Sequence, residues 1–334
     1  MTQLRNRLVA YLAKAEATAP ATGPSAVLAA CDLVYGRYLL GLAAFETSVG
    51  FRHFLTLLSD HRLAGATDDR GPSLSVHLTA YALASLALAG PSHTLDASAF
   101  VRRSTWDSRR LIDPDSLMPR WPRRYSHHAW RVGHWVGGAP AILRLVRQLA
   151  PEIDQAMPAT SRVLETCDSL IDDRTGLLRT WRSPLLQSGF RHIYRLRHDP
   201  EVGAVGGIAH LHWINHAEGR TPYRAADPLF QRASILMQRR PFIERVPYCL
   251  DFDVLQIVRT AATAPLADAL RQRAGDYAQA IAAFLMIQTP QTYALHRLPG
   301  ALAALHECAL IQDETRVEAL ATPARDIILD AGWL

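Results

Sequence analysis

Apolar residues recur at three- and four-residue spacing along nearly the whole chain, the period of helices that bury one face. The pattern predicts helices over 2–17, 24–45, 50–62, 73–89, 97–111, 127–149, 159–171, 204–218, 226–239, 248–262, 265–287, 293–311 and 314–331. Their ends coincide with helix-breaking chemistry. Gly71-Pro72 precedes Ser73, Pro151 follows Ala150, and Gly176 closes the turn begun by Asp172-Asp173-Arg174-Thr175. Alternating β-branched segments do not follow one another anywhere, so the expected fold class is all-α. Helices joined by short turns and longer loops read as stacked hairpins, and about twelve of them would close an (α/α)6 toroid of six hairpins. An open α-solenoid is the alternative arrangement. No linker-like stretch interrupts the pattern. Residues 1–334 are therefore expected to form a single domain, with the helix in residues 1–20 packed on its outside.

Two short echoes support the hairpin reading. His134-Trp135-Val136-Gly137-Gly138 leads one apolar helix and Gly206-Gly207-Ile208-Ala209-His210 another. Paired glycines there let an inner helix approach its neighbours closely or bring backbone N–H groups near a ligand. With His77-Leu78-Thr79-Ala80-Tyr81-Ala82-Leu83 and Asp172-Asp173-Arg174-Thr175-Gly176-Leu177-Leu178, these segments resemble those of the six-hairpin toroid superfamily. That superfamily includes unsaturated glycuronyl hydrolases, other α/α glycosidases, polysaccharide lyases and terpenoid cyclases. The resemblance implies a toroid with a ligand-binding centre. The Trp-Asp-Asp type motif of the unsaturated glycuronyl hydrolases is not visible in this chain.

Composition narrows the class. Hydrophobic residues make up 49% and charged residues 20%, values of an ordinary globular chain rather than a disordered one. The longest apolar run, Val76 to Leu88, is short of the ~20 residues a membrane helix needs and contains His77, Thr79 and Ser85. Residues 1–17 read as an amphipathic helix rather than a signal peptide, and Cys31, Cys167, Cys249 and Cys308 are widely spaced among apolar neighbours. The expectation is a reduced, cytoplasmic protein. Of 36 basic residues only Lys14 is lysine, and the net charge is +5. Basic clusters broken by acids, without a nucleic-acid-binding motif, argue against a nucleic-acid partner. No phosphate loop, nucleophile elbow or dinucleotide fingerprint appears, so no cofactor is expected.

Three segments concentrate candidate chemistry. In Arg120-Trp121-Pro122-Arg123-Arg124-Tyr125-Ser126-His127-His128-Ala129-Trp130-Arg131-Val132-Gly133-His134-Trp135, a helix starting near Ser126 places His127, Arg131, His134 and Trp135 on one face. Aromatic platforms, arginines for an anion and histidines for proton transfer suit a sugar or isoprenoid site. A loop anchored by its aromatics is the bland alternative. In His210-Leu211-His212-Trp213-Ile214-Asn215-His216, the pair His212 and His216 has metal-ligand spacing. Trp213 stands where a zinc HExxH motif needs Glu, and no third ligand is evident, so no metal is assigned. In Tyr248-Cys249-Leu250-Asp251-Phe252-Asp253-Val254, burial would keep one carboxyl protonated as a general acid. A helix N-cap after Pro247 is the alternative.

The resulting expectation is a carbohydrate-active enzyme, a glycoside hydrolase or a uronate lyase, acting on an acidic or short oligosaccharide. Asp251, Asp253, His127, His134 and His212 are the candidate catalytic residues. Arg124, Tyr125, His128, Trp130, Arg131, Trp135, His210, Trp213, His216 and Tyr248 are the candidate substrate contacts. Two alternatives stand beside it. Asp251-Phe252-Asp253 resembles a truncated Asp-x-Asp-Asp motif of class II terpenoid cyclases, in which Asp253 would protonate an isoprenoid, although Val254 holds the fourth place. The other is a non-catalytic helical scaffold for a protein partner.

Overall fold

The computed structural model describes residues 2–42, 48–90, 93–107, 111, 129–156, 160–179, 184–193, 195 and 199–334. In chain order its helices are α1 (Gln3–Ala17), α2 (Gly23–Leu39), α3 (Ser48–Ser59), α4 (Val76–Leu88), α5 (Thr94–Arg102), α6 (Ala129–Val136), α7 (Gly138–Leu149) and α8 (Thr160–Asp168). There follow α9 (Pro184–Ile193), α10 (Pro200–Ala217), α11 (Ala226–Met237), α12 (Cys249–Thr260), α13 (Asp268–Met286), α14 (Leu298–Ile311) and α15 (Ile327–Ala331). Short polar side chains start several of them. The Thr2 hydroxyl accepts from the Arg5 amide, Ser75 accepts from Leu78, and Asp199 accepts from Glu201 ahead of Pro200. Each such cap is worth about 1 kcal/mol. The fold is all-α. Among the described residues the sheet content is one two-residue pair, Arg316–Val317 antiparallel to Thr322–Pro323.

Six helical positions pack in a closed order. α2 packs on α4, α4 on α7, α6 on α10, α10 on α12, α12 on α14, and α14 returns to α2. The remaining long helices lie against this series: α1 on α2 and α13, α3 on α2, α5 on α4 and α7, α8 on α7, α11 on α12, and α13 on α14. α4, α10 and α14 are covered on nearly every side, so their sequences are apolar nearly all round rather than striped. In α4 nearly every residue from Val76 to Leu88 is buried, which accounts for the long apolar run there. No described helix is long and apolar enough to cross a membrane.

Glycines set how closely these helices approach. α6 and α7 form one nearly continuous rod through Gly137, whose amide still bonds to the Gly133 carbonyl at 2.8 Å. A Cβ on Gly133 would stand 2.1 Å from the Gly207 carbonyl oxygen, and one on Gly137 would stand 2.4 Å from the His210 backbone. A Cβ on Gly300 would meet the Cys249 amide nitrogen at 2.3 Å. The sequence echo around Gly137 and Gly207 is therefore a backbone contact between α6–α7 and α10.

Several boundaries differ from the periodicity. The helix expected over 314–331 is instead the short strand pair, a 3-10 turn (Glu318–Leu320) and α15, because Pro323 and the left-handed Ala321 interrupt it. The helix expected over 97–111 starts at Thr94 and ends at Arg102, and the chain then bridges through Trp106 to Ala66. α9 was not foreseen. The Asp172–Gly176 turn forms as expected. The Asp172 amide bonds to the Leu177 carbonyl, the Asp172 carboxylate accepts from the Arg174 amide, and Gly176 takes φ +71.

The C-terminal tail ends inside the closed series. Trp333 is fully buried, its carbonyl accepts from the Tyr35 hydroxyl of α2 at 2.5 Å, and its ring lies near His77 of α4, Gly138 of α7 and Trp213 of α10. Gly133→Ala is expected to destabilise the protein by about 1–3 kcal/mol through overpacking against backbone. Gly189→Ala, where a Cβ meets nothing within 4 Å, should be neutral or stabilising by up to ~1 kcal/mol. Urea unfolding midpoints of the two variants check this contrast.

Candidate functional site

The first turn of α4, the last turn of α6 and the middle of α10 bring polar side chains together. Pairs spaced four residues apart project from one helix face: His77 and Tyr81 on α4, Trp130 and His134 on α6, Gly206 and His210 on α10. The His77 and His134 rings stack at 4.2 Å with a 16° interplanar angle, and His134 meets His210 edge-on at 4.7 Å. One ring nitrogen from each of His77, His134 and His210 lies within 4.8 Å of the other two. His210 Nδ1 is 2.7 Å from the Gly206 carbonyl, which only accepts, so Nδ1 carries the proton and the Nε2 lone pair is free. His77 Nδ1 is buried without a hydrogen-bond partner among the described residues. Burial lowers the pKa of His210 to about 4 and that of His77 well below its ordinary value, with neighbouring imidazoles adding to the effect on His77. Both rings are neutral at pH 7.

Asp253, on the second turn of α12, is fully buried, and neither carboxyl oxygen has a hydrogen-bond partner among the described residues. Burial, reinforced by the Asp251 charge, raises its pKa well above the usual carboxylate value and keeps it protonated. It faces α10 at Gly206, where a Cβ would lie 3.5 Å from Asp253 Oδ2 and 3.7 Å from Trp130. Gly206 thus links the buried acid to the histidine group, because its carbonyl holds His210. Tyr248, at the start of α12, lies 6.1 Å from Trp130 between ring centres.

Asp251 serves the helix. Its carboxylate accepts from the Tyr248 and Ile243 amides and from the Tyr277 hydroxyl, closing a capping box. A further cluster lies beside the histidines. Asp32 of α2 accepts from the Tyr81 hydroxyl at 3.0 Å and from His296 Nδ1 at 3.1 Å. Burial opposes the His296 imidazolium, but the hydrogen bond and charge of Asp32 outweigh it and raise the His296 pKa.

The structure separates the other expected residues. On α10, His212 lies on the face opposite His210, and His216 stands in the last turn. His212 donates from Nε2 to Thr260 Oγ1 at 2.6 Å, since that hydroxyl already donates to Gln256. His216 pairs with Asp326 at 2.7 Å. Asp326 also receives Arg259, and Arg259 grips the buried Glu307 carboxylate with two nitrogens at 2.6 and 3.0 Å. Trp213, 1% exposed, is packed among Phe252, His210 and Trp333, while Trp135 is 41% exposed. Neither is beside Asp253 as a paired platform. Arg124, Tyr125, His127 and His128 lie outside the described residues, as does the Arg131 side chain.

His77, Tyr81, Asp32 and His296 were missed as site residues. The available signal was a histidine inside the otherwise apolar α4, four residues from a tyrosine. In comparisons with protein-family models, curated proteins and solved structures, nothing matches this chain.

Removing Arg259 strands the buried Glu307 carboxylate and takes one of two charged partners from the part-buried Asp326. Arg259→Ala should cost about 3–5 kcal/mol at pH 7. Burial works to raise the Asp326 pKa, but His216 and Arg259 hold it far below the ordinary 3.8. Its stabilisation is therefore present above the unfolded value and is lost as pH falls below it toward the folded value. The gap between wild type and Arg259→Ala should accordingly be narrower at pH 3.5 than at pH 7 in urea titrations, and an equal gap contradicts the assignment.

Proposed function

We propose that the chain is a carbohydrate-active enzyme of the (α/α)6-toroid type that cleaves a glycosidic bond with Asp253 as proton donor. The observation that carries this reading is the protonated, unpaired Asp253 carboxyl, facing Trp130 across Gly206 and joined through that glycine to the histidine group. General acid catalysis needs a carboxyl kept protonated near neutral pH by its surroundings. The closed order of packed helices supports the toroid. Trp130 and Tyr248 supply flat faces for a sugar ring, and the neutral imidazole of His210 supplies an acceptor for the proton of an attacking water. A site lined by His77, Asp32, Tyr81 and His296 as well is polar, which suits a sugar better than an isoprenoid. Arg124 and Arg131, in sequence beside Trp130, favour an acidic sugar. With a uronate, the same groups would serve elimination, an imidazole abstracting the proton α to the carboxylate.

One observation favours a second reading. Asp251 is absorbed by the capping box, so Asp253 acts without a second carboxylate from its own helix, and Phe252 and Trp130 are aromatic neighbours in sequence and space. A class II terpenoid-cyclase-like enzyme would use Asp253 in that way to protonate an alkene.

The test is a panel of neutral and uronate-containing oligosaccharides and isoprenoid diphosphates, assayed with wild type and Asp253→Asn. The expected result is release of sugar, or of an unsaturated uronate product, lowered about 10²–10⁴-fold by Asp253→Asn. Turnover of isoprenoids alone replaces the leading reading with the second, and full activity of Asp253→Asn overturns both. The fold should survive the substitution. A carboxyl with a raised folded pKa contributes its full stability below the unfolded value of 3.8 and loses it as pH rises toward the folded value. Asp253→Asn should therefore be at least as stable as wild type at pH 7.5, with its advantage shrinking at pH 4.

A further inference from the structure

Several histidines in this protein are consumed by the fold: His212 is fully buried and bonds Thr260 through Nε2, its Nδ1 being without a partner among the described residues. His306 on α14 is satisfied at both nitrogens: Nε2 donates to the Leu39 carbonyl at 2.9 Å, and Nδ1 accepts from the Arg325 amide at 3.1 Å. His216 is likewise engaged at both, by Asp326 and Thr221. Those rings hold chain segments together. The group around His134 differs. His77, His134 and His210 come from three separate helices, offer one nitrogen each within 4.8 Å of the others, and include the unpartnered His77 Nδ1.

We propose that His77, His134 and His210 form a three-histidine site for a divalent transition-metal ion of the zinc type, with its remaining coordination position open to water or substrate. Three features point there. An all-imidazole donor set suits zinc, cobalt, nickel or copper and offers no oxygen ligand for magnesium or calcium. Three protein ligands with an open position is the pattern of catalytic rather than structural zinc. The Gly206 carbonyl on His210 Nδ1 is the outer contact that fixes a ligating tautomer and presents Nε2.

The geometry also states what binding requires. Tetrahedral zinc with bonds near 2.0–2.1 Å holds its ligand nitrogens ~3.3 Å apart, closer than the 4.8 Å limit here. Parallel rings cannot aim both lone pairs at one point. The His77–His134 stack must therefore tilt open as the ion enters. Trp333 and Trp213, packed around His210 at 5.2 and 4.6 Å, restrict that ring, so the adjustment falls on α4 and α6.

Binding is read without a substrate, so the test separates this inference from the glycosidase reading, although an ion held by His210 Nε2 would take the lone pair that reading gives to a proton and would itself activate the water. The experiment uses the full chain, purified without a metal-affinity tag and stripped with chelator, titrated with zinc and then cobalt ions alone. Expected are one zinc per chain by equilibrium dialysis with elemental analysis, and a cobalt spectrum of four- or five-coordinate nitrogen ligation. His77→Ala, His134→Gln and His210→Ala should each weaken zinc binding at least 100-fold, whereas His212→Ala and Asp253→Asn retain it. Less than 0.2 zinc per chain at micromolar zinc, an octahedral cobalt spectrum, or equal loss in His212→Ala overturns the proposal. Circular dichroism of each apo variant separates lost ligation from lost fold, and the wild-type cobalt spectrum decides the matter if a variant does not fold. Zinc binding without turnover of any sugar would sustain this site while removing the glycosidase reading.

Discussion

The architecture depends on backbone meeting backbone where helices cross. At Gly133 and Gly137 of the α6–α7 rod and at Gly300 of α14, there is no room for a Cβ, and the neighbour in the way is largely main chain. Main chain cannot rotate aside as a side chain can, so the approach of α6 to α10 and of α14 to α12 is fixed by the absence of three side chains. That closeness brings His134 and His210 to within ring contact, and it lets the Asp253 carboxyl sit against Gly206. A bulkier residue at any of these crossings would part the very groups the site consists of.

Along the same helices, polar groups are treated in two ways. Toward the carboxy-terminal ends, Arg259, Glu307, Asp326 and His216 satisfy one another in a single network, with charge matched to charge. Breaking such a network is costly because it leaves an unpaired ion in a poorly hydrated interior. Asp253, fully buried, and the part-buried His77 retain buried atoms with no hydrogen-bond partner among the described residues. Each such group costs of order 1–3 kcal/mol, an expense that packing alone does not explain. The ion network holds the helices in place, although the His212 Nδ1 and the Gln256 side chain near it are also buried without partners among the described residues, and at Asp253 and His77 a ligand would complete the bonding.

The buried tail links the two. Asp326 belongs to the ion network and also caps α15 by accepting from the Ile328 and Leu329 amides. From there the chain turns inward to place Trp333 beneath His77 and His210. The electrostatics of the network thereby position an aromatic floor for the histidines.

The sequence by itself determined the helical class, most helix positions and the chemistry of the segments around His134, His210 and Asp253, because periodicity, glycine spacing and local residue type are properties of neighbouring positions. Even the Asp253 alternative was legible there, as a carboxyl in an apolar setting. Only the tertiary structure decided which of two aspartates two residues apart is consumed by a cap. It also decided that His210 and His212 serve different side-chain clusters on opposite faces of one helix, and that His77, 133 residues before His210, stands beside it. The reason is physical. Two residues apart on a helix means nearly opposite faces, and a contact between α4, α6 and α10 depends on how closely whole helices pack, which no local pattern encodes.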